Sequence, residues 1–479
     1  MDDRVRSATE IADGVASGAL DPVAVVDGYL DRIAARGDVT NAFVTVLEDE
    51  ALAAARSVRD RVAAGEDLPL AGVPVGLKDL NETKAGVRNT KGLAPLADHV
   101  ATETTVMVER LEAAGAVVVG TTNTPAMGHT VRTDNRLVGP TGTPVDPDRN
   151  AGGSSGGSAA ALADGLCALA TGSDVGGSLR TPAACCGVVA LKPSHALVPS
   201  GSRTNAFRGH TPVGVRGPMA RDVRSLARML DVVAGRDETD PFSPPRPADY
   251  EAAVADAPAP ADLDLAYSPD LDLFPVSPAV RESIEETLGD LAAAGATVDE
   301  VQIDGPDRHT VNQTYMVQVT TDFATAVAEL GREHDVDLLA DHRDAIPDQL
   351  IALVEAADDH DLTEYTHADF PRTELYRAVE AAMAGYDALV CPTLATPPLR
   401  HDEPYPTEID GQPTNGVPTD WTLAWVFNLT GHPVASVPAA PAAGLPVGMQ
   451  VVGPTYAEAD LLGVAAAIEK TSPWSYPAR

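Results

Sequence analysis

Short apolar runs closed off by glycine and proline, alternating with stretches of helical period, set in near residue 70 and limit what this chain can fold into. Val73-Pro74-Val75-Gly76-Leu77 and Ala116-Val117-Val118-Val119-Gly120 are too short for helices and too apolar for an exposed face, so they read as buried strands. Residues 104–114, with apolar positions three and four apart, read as a helix between them. Strands alternating with helices must share a sheet and bury its faces under those helices, which makes the class α/β. Ahead of this texture, residues 7–17, 22–35 and 49–64 have helical period, and 42–47 reads as a strand. The proline-rich stretch 237–262 reads as a surface excursion. Helix resumes at 278–294, strands return at 387–391, 435–437 and 449–452, and an amphipathic helix over 457–470 closes the chain. There is no internal repeat. The expectation is one domain over 1–479, with a helical part (1–65), a catalytic core (66–236), a peripheral, mainly helical segment (237–385) and strands that rejoin the core sheet before a last helix (386–479).

Charge narrows the partners. Seventy acidic residues against 34 basic ones leave a net charge of −36, and only five of the basic residues are lysine, at 78, 84, 91, 192 and 470. The excess is spread along the chain rather than gathered in a tail, which points to a salt-adapted surface: at about 1 M salt the Debye length falls to about 3 Å and self-repulsion fades. A surface of this sign does not bind phosphate backbones directly, because nucleic-acid affinity is built from cationic contacts. No apolar run reaches the ~18 residues of a membrane span. The N-terminal stretch is acidic and lacks the order of a secretion signal, so the expected compartment is the cytoplasm. Cysteines 167, 185, 186 and 391 have no metal spacing and read as reduced, packed thiols.

Two glycine-serine clusters carry the chemistry. The first, Ala151-Gly-Gly-Ser-Ser-Gly-Gly-Ser158, runs straight into the helix former Ala159-Ala160-Ala161-Leu162-Ala163. It lacks the lysine of a phosphate loop. It also matches a GxSxG nucleophile elbow, but that elbow follows a buried strand, and Pro144-Val145-Asp146-Pro147-Asp148-Arg149 reads as no strand. The second cluster, Thr171-Gly-Ser-Asp-Val-Gly-Gly-Ser178-Leu-Arg180, follows the apolar run 166–170 and reads as strand, tight turn, serine. Consecutive glycines let backbone N–H groups converge beside the Ser178 hydroxyl, as an oxyanion requires. A serine hydroxyl needs a base, and no histidine is placed to supply a Ser-His-Asp triad. Lys78, in Gly72-Val-Pro-Val-Gly-Leu-Lys-Asp79, ends an apolar segment in a chain nearly purged of lysine. Acting as a base, it must be neutral, so its pKa must fall from about 10.4 by about 3 units. Taken alone, Lys78 reads as well as a surface charge, and Ser154 and Ser178 as turn serines.

The joint pattern resembles the amidase signature family. The resemblance rests on Gly152-Gly-Ser-Ser-Gly-Gly-Ser158 continuing to Asp174-Val-Gly-Gly-Ser178-Leu-Arg. Further matching segments are Glu109-Arg-Leu-Glu-Ala-Ala-Gly-Ala116, Gly120-Thr-Thr-Asn-Thr-Pro125, Cys186-Gly-Val-Val-Ala-Leu-Lys-Pro193 and Tyr386-Asp-Ala-Leu-Val-Cys-Pro-Thr393. It implies the amidase signature fold, a large mixed twisted sheet with helices on both faces. It implies Ser178 as nucleophile, Lys78 as base, and Ser154 as a bridging serine after a cis Gly153–Ser154 peptide. The backbone of Val175, Gly176, Gly177 and Ser178 becomes the oxyanion hole. The implied reaction is hydrolysis of a small-molecule carboxylic acid amide through an acyl-enzyme, with no cofactor and no metal, in a homodimer. Thr122 stands where the family often has lysine. The alternatives are the amidase (A) subunit of the tRNA-dependent amidotransferase, which hands ammonia to a partner, and a non-catalytic binding protein on the same fold. Val198-Pro-Ser-Gly-Ser-Arg-Thr-Asn205 and Asp174-Val175 depart from the usual amidotransferase pattern and favour the general amidase.

Overall fold

The apolar runs pair into a sheet at the centre of the molecule. The computed structural model describes residues 5–201, 205–207 and 213–474. In chain order the sheet's strands are β1 (Phe43–Val46), β2 (Pro74–Lys78), β3 (Val117–Thr122), β4 (Leu169–Asp174), β5 (Val189–Lys192), β6 (Val215–Ala220), β7 (Asp264–Tyr267), β8 (Thr297–Glu300), β9 (Ala388–Pro392), β10 (Val434–Pro438) and β11 (Gly448–Val452). Among the described residues these 11 lie side by side as β1-β3-β2-β4-β6-β5-β10-β11-β9-β7-β8. Pairing is parallel between β2 and both its neighbours and between β7 and both of its own; the other pairs are antiparallel. The sheet is therefore mixed, and with helices flanking it the fold is α/β.

Burial on both faces is what such continuous apolar strands require. Every residue of β2, β3 and β4 is buried, Lys78 included. The helix Gly156–Ala163 is buried all round. It is tied to the sheet by the Ser158 hydroxyl, which donates to Thr171 O at 2.8 Å and pairs with Thr122 Oγ1 at 2.7 Å.

Three expectations need correction. The second helix runs Pro22–Thr40 rather than ending at 35, and stops where Asn41 takes a left-handed φ of 54° and donates its N–H to Gly37 O. Asp146–Asn150 is a strand after all, paired with Gly142–Thr143 in a two-stranded hairpin. Its proline and aspartates suit a partly exposed edge, where Pro147 leaves no ladder bond unmade inside a sheet. The proline-rich excursion is not purely superficial either. It contains the helix Tyr250–Ala255, and Tyr250 is fully buried against the core.

The segment 237–385 is mainly helical, yet it gives the sheet its outermost strands, β7 and β8. Its long helix, Arg308–His334, reaches back to the loop after β4 through Tyr315. Among the described residues no helix is long and apolar enough to cross a membrane.

Candidate active site

Lys78 is the last residue of β2, a strand with parallel neighbours on both sides. The chain's alternation turns the side chain to the face that carries the glycine-serine loops, and its backbone N–H donates to Thr171 Oγ1 at 2.9 Å. The amine has no contact with bulk solvent. It donates to Ser154 Oγ at 2.8 Å and to Ser173 Oγ at 3.0 Å. Burial pushes its pKa down to about 8, against the opposing pull of the Glu82 and Asp174 charges. The structure thus brings Lys78 and Ser154 together. Ser173 is a partner that sequence reasoning missed, although it lies inside the second cluster.

Ser154 follows a cis peptide, Gly153–Ser154, as the resemblance implies. Ser178 heads the helix Arg180–Cys186 and is 8% exposed, the most open of the three expected residues. Its carbonyl accepts from Ser155 N at 3.2 Å, which ties the two glycine-serine loops together. Among the described residues the Ser178 hydroxyl has no hydrogen-bond partner, so its link to Ser154 is not made here.

The loop between β4 and Ser178 is shaped by Asp174. Its carboxylate accepts from Gly177 N at 2.7 Å, Leu179 N at 3.1 Å and both Nε and Nη2 of Arg180 at 3.0 Å. Asn428 Nδ2 adds a fifth donor at 2.9 Å. Burial pushes the Asp174 carboxyl upward, but Arg180's charge and these bonds outweigh it and hold the group well below the usual carboxylate range. Arg180 is itself fully buried and donates to Ala424 O, Gln450 Oε1 and Asn428 Oδ1, so the loop is pinned to segments that arrive at the end of the chain.

The four expected oxyanion donors then divide. Gly177 N–H is committed to Asp174, whereas the N–H groups of Val175, Gly176 and Ser178 donate to no acceptor among the described residues. Glycine is required at two of these positions. Gly177 has a φ of 101°, and a Cβ on Gly176 would stand 2.0 Å from Tyr315 Oη. Tyr315 packs its ring on Trp425, centroids 5.0 Å apart. No short-range sequence signal could have found Tyr315, which lies in a helix with an ordinary apolar stripe. Trp421 and Trp425–Phe427 are buried, Met127 takes a left-handed φ of 51°, and Phe207 stands 65% exposed. Among the described residues no cluster of His, Cys, Asp and Glu could hold a metal, and the four cysteines are free and buried.

A solvent-sealed lysine is hydrogen-bonded to a serine that follows a cis peptide, and a glycine loop runs up to a second serine; comparison with known proteins shows the family. A family model described as Amidase matches residues 24–462. The chain belongs to the Amidase family. It is 34% identical over 475 residues to an acylamidase of Rhodococcus erythropolis, covering 98% of this chain and 96% of that one. It is 33% identical over 477 residues to the A-type subunit of a glutamyl-tRNA(Gln) amidotransferase of Koribacter versatilis, covering 93% and 94%. Among solved structures, a bacterial aryl acylamidase of the amidase signature enzymes superposes with a TM-score of 0.91 at 32% identity, over 98% of this chain and 97% of that one. This amidase is accordingly an enzyme that hydrolyses amide C–N bonds.

Proposed function

We propose that this amidase works through a Ser-Ser-Lys apparatus in which Ser178 is the nucleophile, Ser154 the proton relay and Lys78 the base. The observation that carries the reading is the amine of Lys78, sealed from solvent and 2.8 Å from Ser154 Oγ. In the neutral form it takes the Ser154 proton while Ser154 takes that of Ser178, and Ser178 Oγ bonds to the amide carbon. The tetrahedral oxyanion lies against the N–H groups of Val175, Gly176 and Ser178, while Gly177 holds the loop in shape. The proton returns through Ser154 to the leaving nitrogen, the C–N bond breaks, and ammonia or an amine departs. Water then attacks the Ser178 ester by the same relay and releases the acid. Catalytic hydrogen bonds often tighten only with substrate bound, and the Ser178-to-Ser154 contact is the one that substrate closes.

The chain is read as a single unit acting on a small-molecule amide, since one sheet collects strands from its beginning, middle and end. No cofactor or nucleic acid enters the scheme, and the cytoplasm and a homodimer complete the reading. The similarity to acylamidases supports a general amidase. The amidotransferase relative supports the second reading, ammonia delivery to a partner. Ammonia release from a panel of aliphatic, aromatic and amino-acid amides by the isolated chain separates the two. Turnover of simple amides without partners carries the first, and glutamine hydrolysis that appears only with added partner subunits carries the second. The net charge of −36 supports salt adaptation. The unfolding midpoint is expected to rise between dilute buffer and about 1 M salt, where the Debye length is about 3 Å; full stability in dilute buffer contradicts it.

A further inference from the structure

Glu82 is the least explained charge in the molecule. It lies four residues beyond Lys78, its side chain is wholly buried, and neither carboxylate oxygen has a hydrogen-bond partner among the described residues. A buried carboxylate without hydrogen bonds is among the costlier groups a fold can keep, and such a group calls for a reason. Among the described residues the nearest cation, Arg216 Nε, stands 4.0 Å from Glu82 Oε1, too far for a hydrogen bond.

The register of the sheet places this carboxylate with respect to the chemistry. Arg216 in β6 is the direct cross-strand partner of Ser173 in β4, so their side chains project from the same face. Ser173 Oγ is the second hydrogen-bond acceptor of the Lys78 amine. Glu82 and Arg216 therefore sit on the face that holds Lys78, Ser173 and Ser154, inside the same dry region. The other charged groups around it are accounted for. Asp79 is turned to Thr90 and Asn89, and Asp174 is paired with Arg180. Lys91 donates to Leu80 O, its charge facing Glu82 and Glu333.

A general base must be neutral when it acts and yet still bind the proton it receives, and efficiency is best when its pKa lies near the working pH. Burial works only in one direction on an amine, toward loss of the proton. We propose that Glu82 is a positioning residue for proton affinity: a carboxylate buried on the Lys78 face without hydrogen-bond donors, whose negative charge holds Lys78 basic enough to accept the proton from Ser154. Hydrogen bonds to Glu82 would delocalise that charge, and solvent contact would screen it. The direction of Glu82's influence on Lys78 agrees, since its charge is the largest that opposes the effect of burial.

The inference rests on Lys78 as the base, and the test separates the two. In Glu82→Gln the ascending limb of kcat/KM against pH is expected to move down by at least half a unit, so that the ratio of kcat/KM at pH 7 to that at pH 9.5 rises about threefold. The plateau falls, because a weaker base transfers the proton less readily. Glu82→Asp, which keeps the charge, returns the limb most of the way. A lowered plateau with an unmoved limb in Glu82→Gln shows a merely structural role and overturns the proposal, as does Glu82→Asp behaving like Glu82→Gln. If instead Lys78→Ala retains wild-type turnover, the reading of Lys78 fails, whatever Glu82 does.

Discussion

Two lysines are buried at the ends of strands in this molecule, and only one has an acceptor that chemistry can use. Lys78 closes β2 and Lys192 closes β5, each essentially without solvent contact. Burial depresses both, Lys78 to about 8 and Lys192 to about 7, the latter helped by the Arg180 charge. Yet Lys78 Nζ meets two serine hydroxyls, whereas Lys192 Nζ donates to the carbonyl of Pro193 at 3.1 Å, a group with no proton to exchange. A lowered pKa makes an amine able to act as a base, and a hydroxyl within reach gives that base a proton to take. Burial perturbs both lysines in the same direction, so perturbation alone is a weak guide to function.

That contrast can be broken most directly by exchanging each lysine for methionine. Lys78→Met is expected to lower kcat/KM by about 10³-fold or more while the protein stays folded, since a positioned general base is worth ~10²–10⁴ and here it also drives the nucleophile. Lys192→Met is expected to keep kcat/KM within a few-fold. Equal losses in both variants, read from steady-state amide turnover, would remove the distinction.

Asp174 acts on both lysines, and its partner Arg180 acts on Lys192. Asp174→Asn leaves a fully buried guanidinium without its counter-charge, for which a loss of about 3–5 kcal/mol is expected. Denaturant unfolding measures it, and the fraction that remains folded is expected to lose turnover as the loop from Asp174 to Ser178 loosens.

Stability against pH sharpens the comparison further. For a lysine with a depressed folded pKa, the unfolded chain binds more protons between the folded pKa and about 10.4, so the group's contribution is intact above about 10.4 and is lost as pH falls toward the folded value. For Lys192 that window runs from about 10.4 down to about 7. Lys192→Met therefore gains stability over wild type at pH 7, a gain that shrinks as pH rises toward 10; thermal melts at the two pH values check it. Ser173→Ala is expected to have the smallest effect. It removes one of two hydroxyls from the Lys78 amine, worth about 1 kcal/mol, and a several-fold fall in kcat is the expected readout.

Much of the candidate site was legible from residue types alone. Lys78 stood out because the chain has so few lysines, and Ser154 and Ser178 because glycines crowd around them. The sheet was legible for a similar reason, as runs like Val117–Thr122 have no other stable way to bury themselves. What stayed hidden depends on contacts between distant segments. Asn428 and Gln450 fix the loop from Asp174 to Arg180 from the far end of the chain, and Tyr315 covers Gly176 from a helix whose pattern shows only its packing. Sequence shows Gly177 but not that Asp174 turns its carboxylate to accept the Gly177 N–H. The strand Asp146–Asn150 was concealed by a composition that fits a loop equally well. Glu82 gave no signal, since the fold around it, rather than its neighbours in sequence, denies it a partner.

Which oxygen a serine-directed reagent labels, and how fast, tests most directly whether Lys78 activates Ser178. Mass spectrometry of the protein treated with a fluorophosphonate is expected to find a single adduct on the peptide that carries Ser178, formed about 10³-fold more slowly in Lys78→Ala, in keeping with the loss of a general base. An adduct on Ser154, or labelling of Ser178 at an undiminished rate without the lysine, would contradict that assignment.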